Sequence, residues 1–360
     1  MRLSTFLSYA TVFGGALSQL TSNLTLITED FGENPTNVPF NLYVPKTVVK
    51  HPPVLVAAHW CTGTGIDFFM YTDYAKYADE FGYIVIYPSA PRETKCWDVA
   101  SNETLAHNGG SDTLAIVNMV KWTLKKYHGD PNRVFITGLS SGGMLTQVMM
   151  GAYPDVFRAG SAWADVPYGC FRGPTEWNNQ CSEGLLIKTP KQWGDDVRNA
   201  YPGYRGPRPK LQVWHGTLDT GLSYQNLIES NKMWSNVFGI HWTKNHTDTP
   251  ITNYTQMIFG DGSKYVAYSC GGVEHNVPIR ALDALEWFGI YKPKPVVTTT
   301  LTTTTKTTSV KPTTTTAATG AVHWGQCGGI TYKGPLTCAG GWVCVKITAY
   351  FSQCQPKKWG

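Results

Sequence analysis

A threonine-rich segment divides the chain and limits what it can fold into. Of the 23 residues 298–320, fourteen are Thr, and the others are Ser, Pro, Ala, Gly, Val, Leu or Lys. Such a segment has too little apolar surface to offset the entropy of ordering it, and this composition is typical of extended, O-glycosylated spacers. We therefore predict a large domain over residues 19–291, a linker over 292–321 and a small module over 322–360.

Residues 1–18 have the pattern of a secretory signal peptide. Arg2 precedes a mostly apolar stretch, and the small residues Ala16 and Ser18 suit cleavage before Gln19. A short core helix is the alternative. Four sequons agree with export, because N-glycosylation takes place in the secretory pathway. These predicted glycosylation sites are Asn23, Asn102, Asn245 and Asn253. We expect a secreted, extracellular protein.

Composition narrows the partners of such a protein. Charged residues make up 15% of the chain, against roughly 25% in an average soluble domain, and there are 13 Trp and 19 Tyr. That surface suits a polysaccharide, since sugar rings stack on indole and phenol faces. The net charge of +5 is spread without a basic cluster, and no apolar run past residue 20 approaches the roughly 20 residues that span a bilayer. We expect a soluble monomer that binds neither nucleic acid nor membrane.

Short apolar runs alternate with helical patterns in the large domain. The runs are rich in β-branched and aromatic residues, as is typical of buried parallel strands. The predicted strands cover residues 53–59, 83–87, 133–137 and 210–214. The predicted helices cover residues 111–127, 142–153, 224–238 and 281–288. This alternation predicts a three-layer α/β domain, with a strand order that the pattern leaves open.

A Gly-x-Ser-x-Gly motif follows the third predicted strand and opens a helix. Gly138 and Gly142 flank Ser140 at the two positions where a tight strand-to-helix turn excludes side chains. The helix that begins here directs its N–H groups towards the serine, and the Ser141 N–H can serve an oxyanion. We predict Ser140 as a nucleophile. A glycine-rich structural turn is the alternative.

A serine nucleophile needs a base and an acid. In hydrolases with such a Gly-x-Ser-x-Gly turn, the order along the chain is the serine, then the acid, then the histidine. Asp219 lies just beyond the fourth predicted strand, where active-site groups emerge from a parallel sheet. Its alternative role is to cap a turn or a helix. Asp165, Asp195 and Asp261 are the rival carboxylates, but none follows so clear a strand.

The predicted base is His275, in a glycine-rich loop before the last helix. His241 and His246 also follow the predicted acid, but they lie in a polar stretch more typical of a surface. A hydrogen-bonded loop histidine is the alternative for His275. His59 and His215, each at the end of a strand beside the site, are interpreted as structural.

The loop after the first predicted strand, residues 59–65, is expected to supply a second oxyanion donor, the Cys61 N–H. Cys61 and Cys96 both follow neighbouring strands, so a disulfide between them would pin this loop. Cys170 and Cys181 could close a local loop, which would leave Cys270 unpaired. With five Cys in the domain, one must be free or pair elsewhere.

Eight segments of the large domain together resemble fungal carbohydrate esterase family 1. They are His-Trp-Cys-Thr-Gly-Thr-Gly (59–65), Ile-Tyr-Pro-Ser (86–89), Cys-Trp-Asp (96–98), His-Asn-Gly-Gly (107–110), Gly-Leu-Ser-Ser-Gly-Gly (138–143), Tyr-Pro-Gly-Tyr (201–204), His-Gly-Thr-Leu-Asp-Thr (215–220) and Gly-Val-Glu-His-Asn-Val-Pro (272–278). The family contains acetylxylan esterases and type B feruloyl esterases, and a sister group degrades polyhydroxyalkanoates. The resemblance implies the α/β-hydrolase fold, no cofactor or metal, and the triad Ser140, Asp219 and His275.

The tail contains four of the nine Cys within its last 34 residues, a density typical of disulfide scaffolds. Zinc is the alternative, although no Cys-x-x-Cys pair occurs. From His323 onwards the tail closely resembles the fungal family 1 cellulose-binding module, a small disulfide-rich β unit. The resemblance implies the bridges Cys327–Cys344 and Cys338–Cys354.

So small a module cannot bury three large aromatic side chains, and we expect Trp324, Tyr350 and Phe351 to form an exposed flat row. A small aromatic core is the alternative. In the resembled family such a row stacks on the glucose rings of crystalline cellulose, with polar help at the position of Gln353.

We therefore expect a secreted serine esterase that removes O-acetyl groups from xylan and is anchored on crystalline cellulose. A feruloyl esterase with the same triad is the alternative, because the sequence does not measure the depth of the acyl pocket. A catalytically inactive cellulose-binding protein is a further alternative from another class.

Overall fold

The structure is a computed structural model that describes residues 20–292, 326–328, 335–341, 343–346 and 352–355. Its contacts divide the chain into two compact units, with the division after Pro295. The predicted signal peptide and almost all of the predicted linker lie outside the described residues, so their predicted limits stay predictions.

Ten strands form one mixed sheet within residues 20–292. They are β1 (Thr25–Ile27), β2 (Phe40–Tyr43), β3 (Val54–Ala58), β4 (Ile84–Pro88), β5 (Val134–Leu139), β6 (Ala159–Trp163), β7 (Lys210–Gly216), β8 (Trp242–Thr247), β9 (Tyr254–Phe259) and β10 (Tyr265–Cys270). Their spatial order is β1-β2-β4-β3-β5-β6-β7-β10-β9-β8. The six central strands, β4 to β10 in that order, are parallel, and the strands outside them pair antiparallel.

Nine α-helices lie within the same residues. They are α1 (Gly65–Tyr71), α2 (Tyr74–Phe81), α3 (Asn102–Leu105), α4 (Ser111–Tyr127), α5 (Ser141–Ala152), α6 (Asn179–Ser182), α7 (Pro190–Asn199), α8 (Gln225–Phe238) and α9 (Ala281–Phe288). The bounds predicted for α4 and α9 are confirmed. Among the described residues, no helix has the length and apolar character needed to cross a bilayer.

The central strands supply side chains to two cores, one on each face of the sheet. In β3, Val54 and Val56 belong to one core and Leu55 belongs to the other. Helices α4, α5, α7 and α8 pack into the first core, and α1, α2 and α9 pack into the second. Parallel sheets occur almost only with both faces covered, which is why these strands are mostly apolar. The predicted three-layer α/β domain is confirmed.

The four predicted strands correspond to β3, β4, β5 and β7. Strand β6 was not predicted, because its sequence Ala-Gly-Ser-Ala-Trp contains no β-branched residue. It is a strand because it lies between β5 and β7, which hydrogen-bond to it on both sides. The carboxyl ends of these parallel strands meet at one edge of the sheet, where the loops that carry the predicted site begin.

The second unit contains a small antiparallel sheet with the strand order β11-β13-β12. Its strands are β11 (Gln326–Gly328), β12 (Val343–Lys346) and β13 (Ser352–Gln355). A disulfide joins Cys327 to Cys344, so neither sulfur is a free thiolate that could bind zinc.

Other predictions for this unit cannot be located in the structure. The side chains of Gln353 and of Cys354, the partner predicted for Cys338, lie outside the described residues. The predicted cellulose-binding aromatics Trp324, Tyr350 and Phe351 also lie outside them.

Candidate active site

A sharp turn joins β5 to α5 and carries Ser140. Its backbone angles, φ of 56° and ψ of −117°, lie in a region that residues other than glycine rarely adopt. The Ser140 N–H donates to the carbonyl oxygen of Trp163 at 2.8 Å, which ties the turn to the end of β6. Because α5 begins at Ser141, the positive end of its dipole lies next to the serine. This geometry is that of a nucleophile elbow.

Two glycines allow the elbow to form. A Cβ at Gly142 would overlap the carbonyl oxygen of Ala58, and a Cβ at Gly138 would overlap the carbonyl oxygen of Gly142. The backbones of β3, β5 and α5 therefore approach more closely than any side chain permits. The glycine positions in the motif are a packing requirement of the turn.

We expect Gly142→Ala to destabilise the domain by about 3 kcal/mol or more, because backbone atoms must move to admit the methyl group. Thermal unfolding of the purified chain measures the effect. Gly173→Ala is the matched control, since its Cβ would meet only the carbonyl oxygen of Phe171, at 3.7 Å. Equal melting temperatures for the two variants would contradict the packing argument.

Ser140, His275 and Asp219 form a hydrogen-bonded chain. Ser140 Oγ lies 2.8 Å from His275 Nε2, and His275 Nδ1 lies 2.8 Å from Asp219 Oδ2. A carboxylate only accepts, so Nδ1 carries the hydrogen and Nε2 presents its lone pair to the serine hydroxyl. This is the tautomer that a general base requires. Asp219 follows β7 and His275 lies between β10 and α9, so the fold brings together three residues predicted from distant segments.

The Asp219 carboxylate is buried and hydrogen-bonded through both oxygens. Its Oδ1 accepts from the N–H groups of Gly221 at 2.9 Å and Leu222 at 2.8 Å. Its Oδ2 faces His275 and also lies 3.3 Å from His215 Nε2. Burial raises the pKa of Asp219, but hydrogen bonds from His215 and His275 outweigh that effect and hold the pKa well below its usual range. The acid is therefore ionised at neutral pH.

The rival residues are not members of this hydrogen-bonded chain. Asp195 forms ion pairs along α7, and Asp261 lies in an exposed turn. His241 and His246 are exposed, as predicted. Asp165 is buried near the site, and burial raises the pKa of its carboxyl to about 7. Among the described residues, none of these five hydrogen-bonds to the serine or to its histidine.

The two predicted oxyanion donors belong to segments that are linked to each other. A disulfide joins Cys61 to Cys96. The next residue, Trp97, donates its backbone N–H to Ser141 Oγ at 2.8 Å and its indole N–H to the His59 carbonyl oxygen at 2.9 Å. Residues 96–97 therefore connect the loop after β3 to the start of α5. This link holds the Cys61 and Ser141 N–H groups in fixed relative positions.

His59 anchors the start of the same loop as a buried, neutral imidazole. Its Nδ1 lies 2.6 Å from the Trp60 carbonyl oxygen, and its Nε2 accepts from the Ala90 N–H at 2.9 Å. The ring therefore carries its hydrogen on Nδ1. Burial lowers the pKa of His59 to about 4.

The lowered pKa of His59 predicts that the free energy of unfolding decreases in acid. An unfolded His59 binds a proton near pH 6.5 and the folded one near pH 4, so the unfolded state binds more protons between these values. Stability is therefore lost as pH falls from 6.5 to 4, by about 3 kcal/mol from this group. Urea unfolding at several pH values should give a flatter profile for His59→Gln than for the natural chain. Parallel profiles would contradict the assignment.

The remaining cysteines and the sequons are also located by the structure. Cys170 and Cys181 form a disulfide, and Cys270 is free and buried. Burial raises the pKa of the Cys270 thiol to about 12, so the thiol stays protonated and unreactive. The four sequon asparagines are all exposed, and they are Asn23, Asn102, Asn245 and Asn253.

The sequence analysis does not predict the contacts that two residues make at the site. The interpretation of His215 as structural misses its contact with Asp219, although a histidine four residues before the acid across a tight turn is a signal that could have indicated it. Trp97 gave no such signal, because its link to Ser141 depends on how two loops meet.

The fold and the chain order of the three residues define a class. A sheet that is parallel at its centre, with the serine on a strand–turn–helix and the order Ser, Asp, His, is the arrangement of the α/β-hydrolases.

Comparison with known proteins narrows the class to a family. Residues 38–174 match the family described as esterase PHB depolymerase, and residues 323–351 match the fungal cellulose binding domain. Feruloyl esterase B of Talaromyces funiculosus is 47% identical over 343 residues, which cover 93% of this chain and 95% of that protein. Acetylxylan esterase A of Talaromyces purpureogenus is 41% identical over 360 residues, with coverages of 95% and 92%.

A solved structure agrees with these relatives. Acetyl xylan esterase from Aspergillus awamori superposes with a TM-score of 0.73 at 42% identity, covering 75% of this chain and 100% of that one. The chain belongs to this fungal family of acetylxylan and feruloyl esterases, with a cellulose-binding domain at its C-terminal end, and the resemblance inferred from its motifs is confirmed. It is a carboxylic ester hydrolase.

Proposed function

We propose that this esterase is secreted, acts as a monomer and removes O-acetyl groups from xylan in plant cell walls. The hydrogen-bonded chain from Ser140 through His275 to Asp219 carries the catalytic part of the proposal. The acetylxylan esterases that match over most of their length support the choice of acetyl as the acyl group and of xylan as the polysaccharide.

Ser140 is the nucleophile of the proposed reaction. Its Oγ forms a bond to the ester carbonyl carbon while its proton passes to His275 Nε2, 2.8 Å away. The N–H groups of Ser141 and Cys61 stabilise the negative charge that develops on the carbonyl oxygen. Asp219 stabilises the imidazolium that forms.

The attack gives a tetrahedral intermediate. Its collapse breaks the bond to the sugar oxygen, which takes the proton from His275 and leaves as an alcohol. Ser140 then carries the acyl group. A water molecule gives a proton to His275 and attacks the acyl carbon, and return of that proton to Ser140 Oγ releases the carboxylic acid.

Feruloyl ester hydrolysis is the second candidate, because the 47% identical relative is named feruloyl esterase B. The same residues would catalyse it, so the two candidates differ only in the acyl group that the site admits.

A paired assay decides between them. Initial rates of acetate release from acetylated xylan and of ferulate release from methyl ferulate should be measured on one enzyme preparation. The proposal expects kcat/KM for acetyl release to exceed that for ferulate release. A clear excess for ferulate would reverse the order, and no activity on either ester would reject both.

We further propose that the tail binds crystalline cellulose through Trp324, Tyr350 and Phe351, with Gln353 as a polar contact. Binding would raise the local concentration of the esterase at the wall without taking part in the chemistry. Sedimentation of the full chain with cellulose tests this, and replacing the three aromatics together by Ala should abolish it.

A further inference from the structure

Ser140, His275 and Asp219 form a proton relay. Two buried titratable groups next to this relay have no part in the mechanism above. His215 lies near the end of β7, and Asp165 lies just beyond β6. Both are fully buried. Trp163 pairs with Trp214 in the parallel register of β6 and β7, so the two segments leave the sheet side by side.

The contacts of His215 determine where its hydrogen lies. Its Nε2 is 2.8 Å from the carbonyl oxygen of Leu222 and 3.3 Å from Asp219 Oδ2. Both neighbours are acceptors, so Nε2 must carry the hydrogen. The Asp219 oxygen that receives His275 Nδ1–H therefore also faces the Nε2–H of His215.

Asp165 follows the strand next to that of His215 and interacts electrostatically with the same imidazole. Its Oδ2 accepts from Gln147 Nε2 at 2.8 Å, and Gln147 Oε1 accepts from Trp234 Nε1 at 2.6 Å. Asp165 Oδ1 and His215 Nδ1 are both buried and have no hydrogen-bond partner among the described residues. A lone pair on nitrogen and a carboxyl oxygen are complementary, because one proton held between them, directly or through one water, satisfies both.

We propose that His215 is a positioning residue for Asp219 and that Asp165 in turn sets the proton arrangement of His215. With two N–H donors on Oδ1 and the N–H groups of two imidazoles facing Oδ2, the Asp219 carboxylate has one orientation that suits every neighbour. That orientation directs His275 at the serine. This inference rests on the proposed catalytic roles of Ser140, His275 and Asp219, but not on the identity of the acyl group.

The test compares His215→Met with His215→Gln in the full chain, with p-nitrophenyl acetate as the ester. Met fills the space without a donor, whereas the Gln amide can donate to Asp219. We expect Met to lower kcat by about 10-fold to 100-fold, the effect of removing one N–H group that faces a charged carboxylate, with KM within about twofold. Gln should recover most of that loss. Equal kcat values for the two variants would overturn the proposal.

A second measurement separates positioning from general destabilisation. If His215 acts through Asp219, then His215→Met should change kcat by less than about twofold in a chain that already contains Asp219→Asn. Asp165→Asn should lower kcat of the natural chain by a smaller factor and should likewise have little effect in the Asp219→Asn chain. This variant provides the test if His215→Met does not fold. Full, multiplicative losses in the Asp219→Asn background would overturn the proposal but leave the relay intact. Full activity of Asp219→Asn alone would overturn the relay and the proposal with it.

Discussion

Replacing Ser140 by Ala is expected to lower kcat by at least about 10⁴-fold, the largest effect of any single substitution in this chain. The variant lacks the oxygen that forms the acyl-enzyme, while its imidazole and carboxylate have no group left to activate. Only binding and the oxyanion donors would remain. Initial rates on acetylated xylan at saturating substrate measure the loss.

Two controls make this result specific. Ser263→Ala removes a hydroxyl from an exposed turn, where it donates to Asp261 at 2.6 Å, and it should keep full activity. Thermal unfolding of Ser140→Ala verifies that the esterase domain is folded. The variant should also still sediment with cellulose, which would separate binding by the second unit from hydrolysis. Full esterase activity in Ser140→Ala would show that the nucleophile is another residue.

Asp219→Asn is expected to lower kcat by about 10⁴-fold with little change in the shape of the site. The Asn carbonyl oxygen must face the N–H groups of Gly221 and Leu222, since its amide group would repel them. The amide NH₂ then points at His275 Nδ1 and donates to it. This forces the hydrogen of His275 onto Nε2, where the ring can no longer accept the proton of Ser140.

The former rival acids supply the matched controls for this substitution. Asp195→Asn removes a half-buried carboxylate and Asp261→Asn an exposed one, and both should keep kcat within about twofold. The same rate assay, with thermal unfolding to verify the fold, covers all three variants. An Asp219→Asn enzyme as active as these controls would remove Asp219 from the mechanism.

The nucleophile elbow was the part of the site most directly predictable from sequence. A strand that ends at Leu139, a serine and a helix that begins beyond it are all local features, determined by residues within a few positions of one another. The glycines at 138 and 142 are required by backbone contacts that any such turn makes, so the motif itself indicated the geometry.

The acid and the base were predictable by order and by context, although less directly. The sequence favours Asp219 because it follows a clear strand, and His275 because it lies in a glycine-rich loop before α9. Neither argument says how far the side chain lies from Ser140. Their approach to the serine depends on β10 pairing with β7, which carries the loop of His275 to the turn of Asp219.

Other elements escaped the pattern because their sequences are ambiguous on their own. Strand β6 is made of small residues, and β8 is exposed along its whole length, so neither has the periodicity that indicates a strand. Helix α7 carries a capping box, with Thr189 and Gln192 hydrogen-bonded to each other's backbone, which is a local signal that the prediction did not use.

The amino-acid order alone determined the two-unit organisation, the α/β class, the elbow and the choice of the three side chains that form the hydrogen-bonded chain, because each depends on composition or on neighbours in the chain. Only the tertiary structure decided the strand order, the link from Trp97 to Ser141 and the convergence of two histidines on one carboxylate oxygen. These depend on contacts between segments far apart in sequence, and local periodicity carries no information about which distant segments will meet.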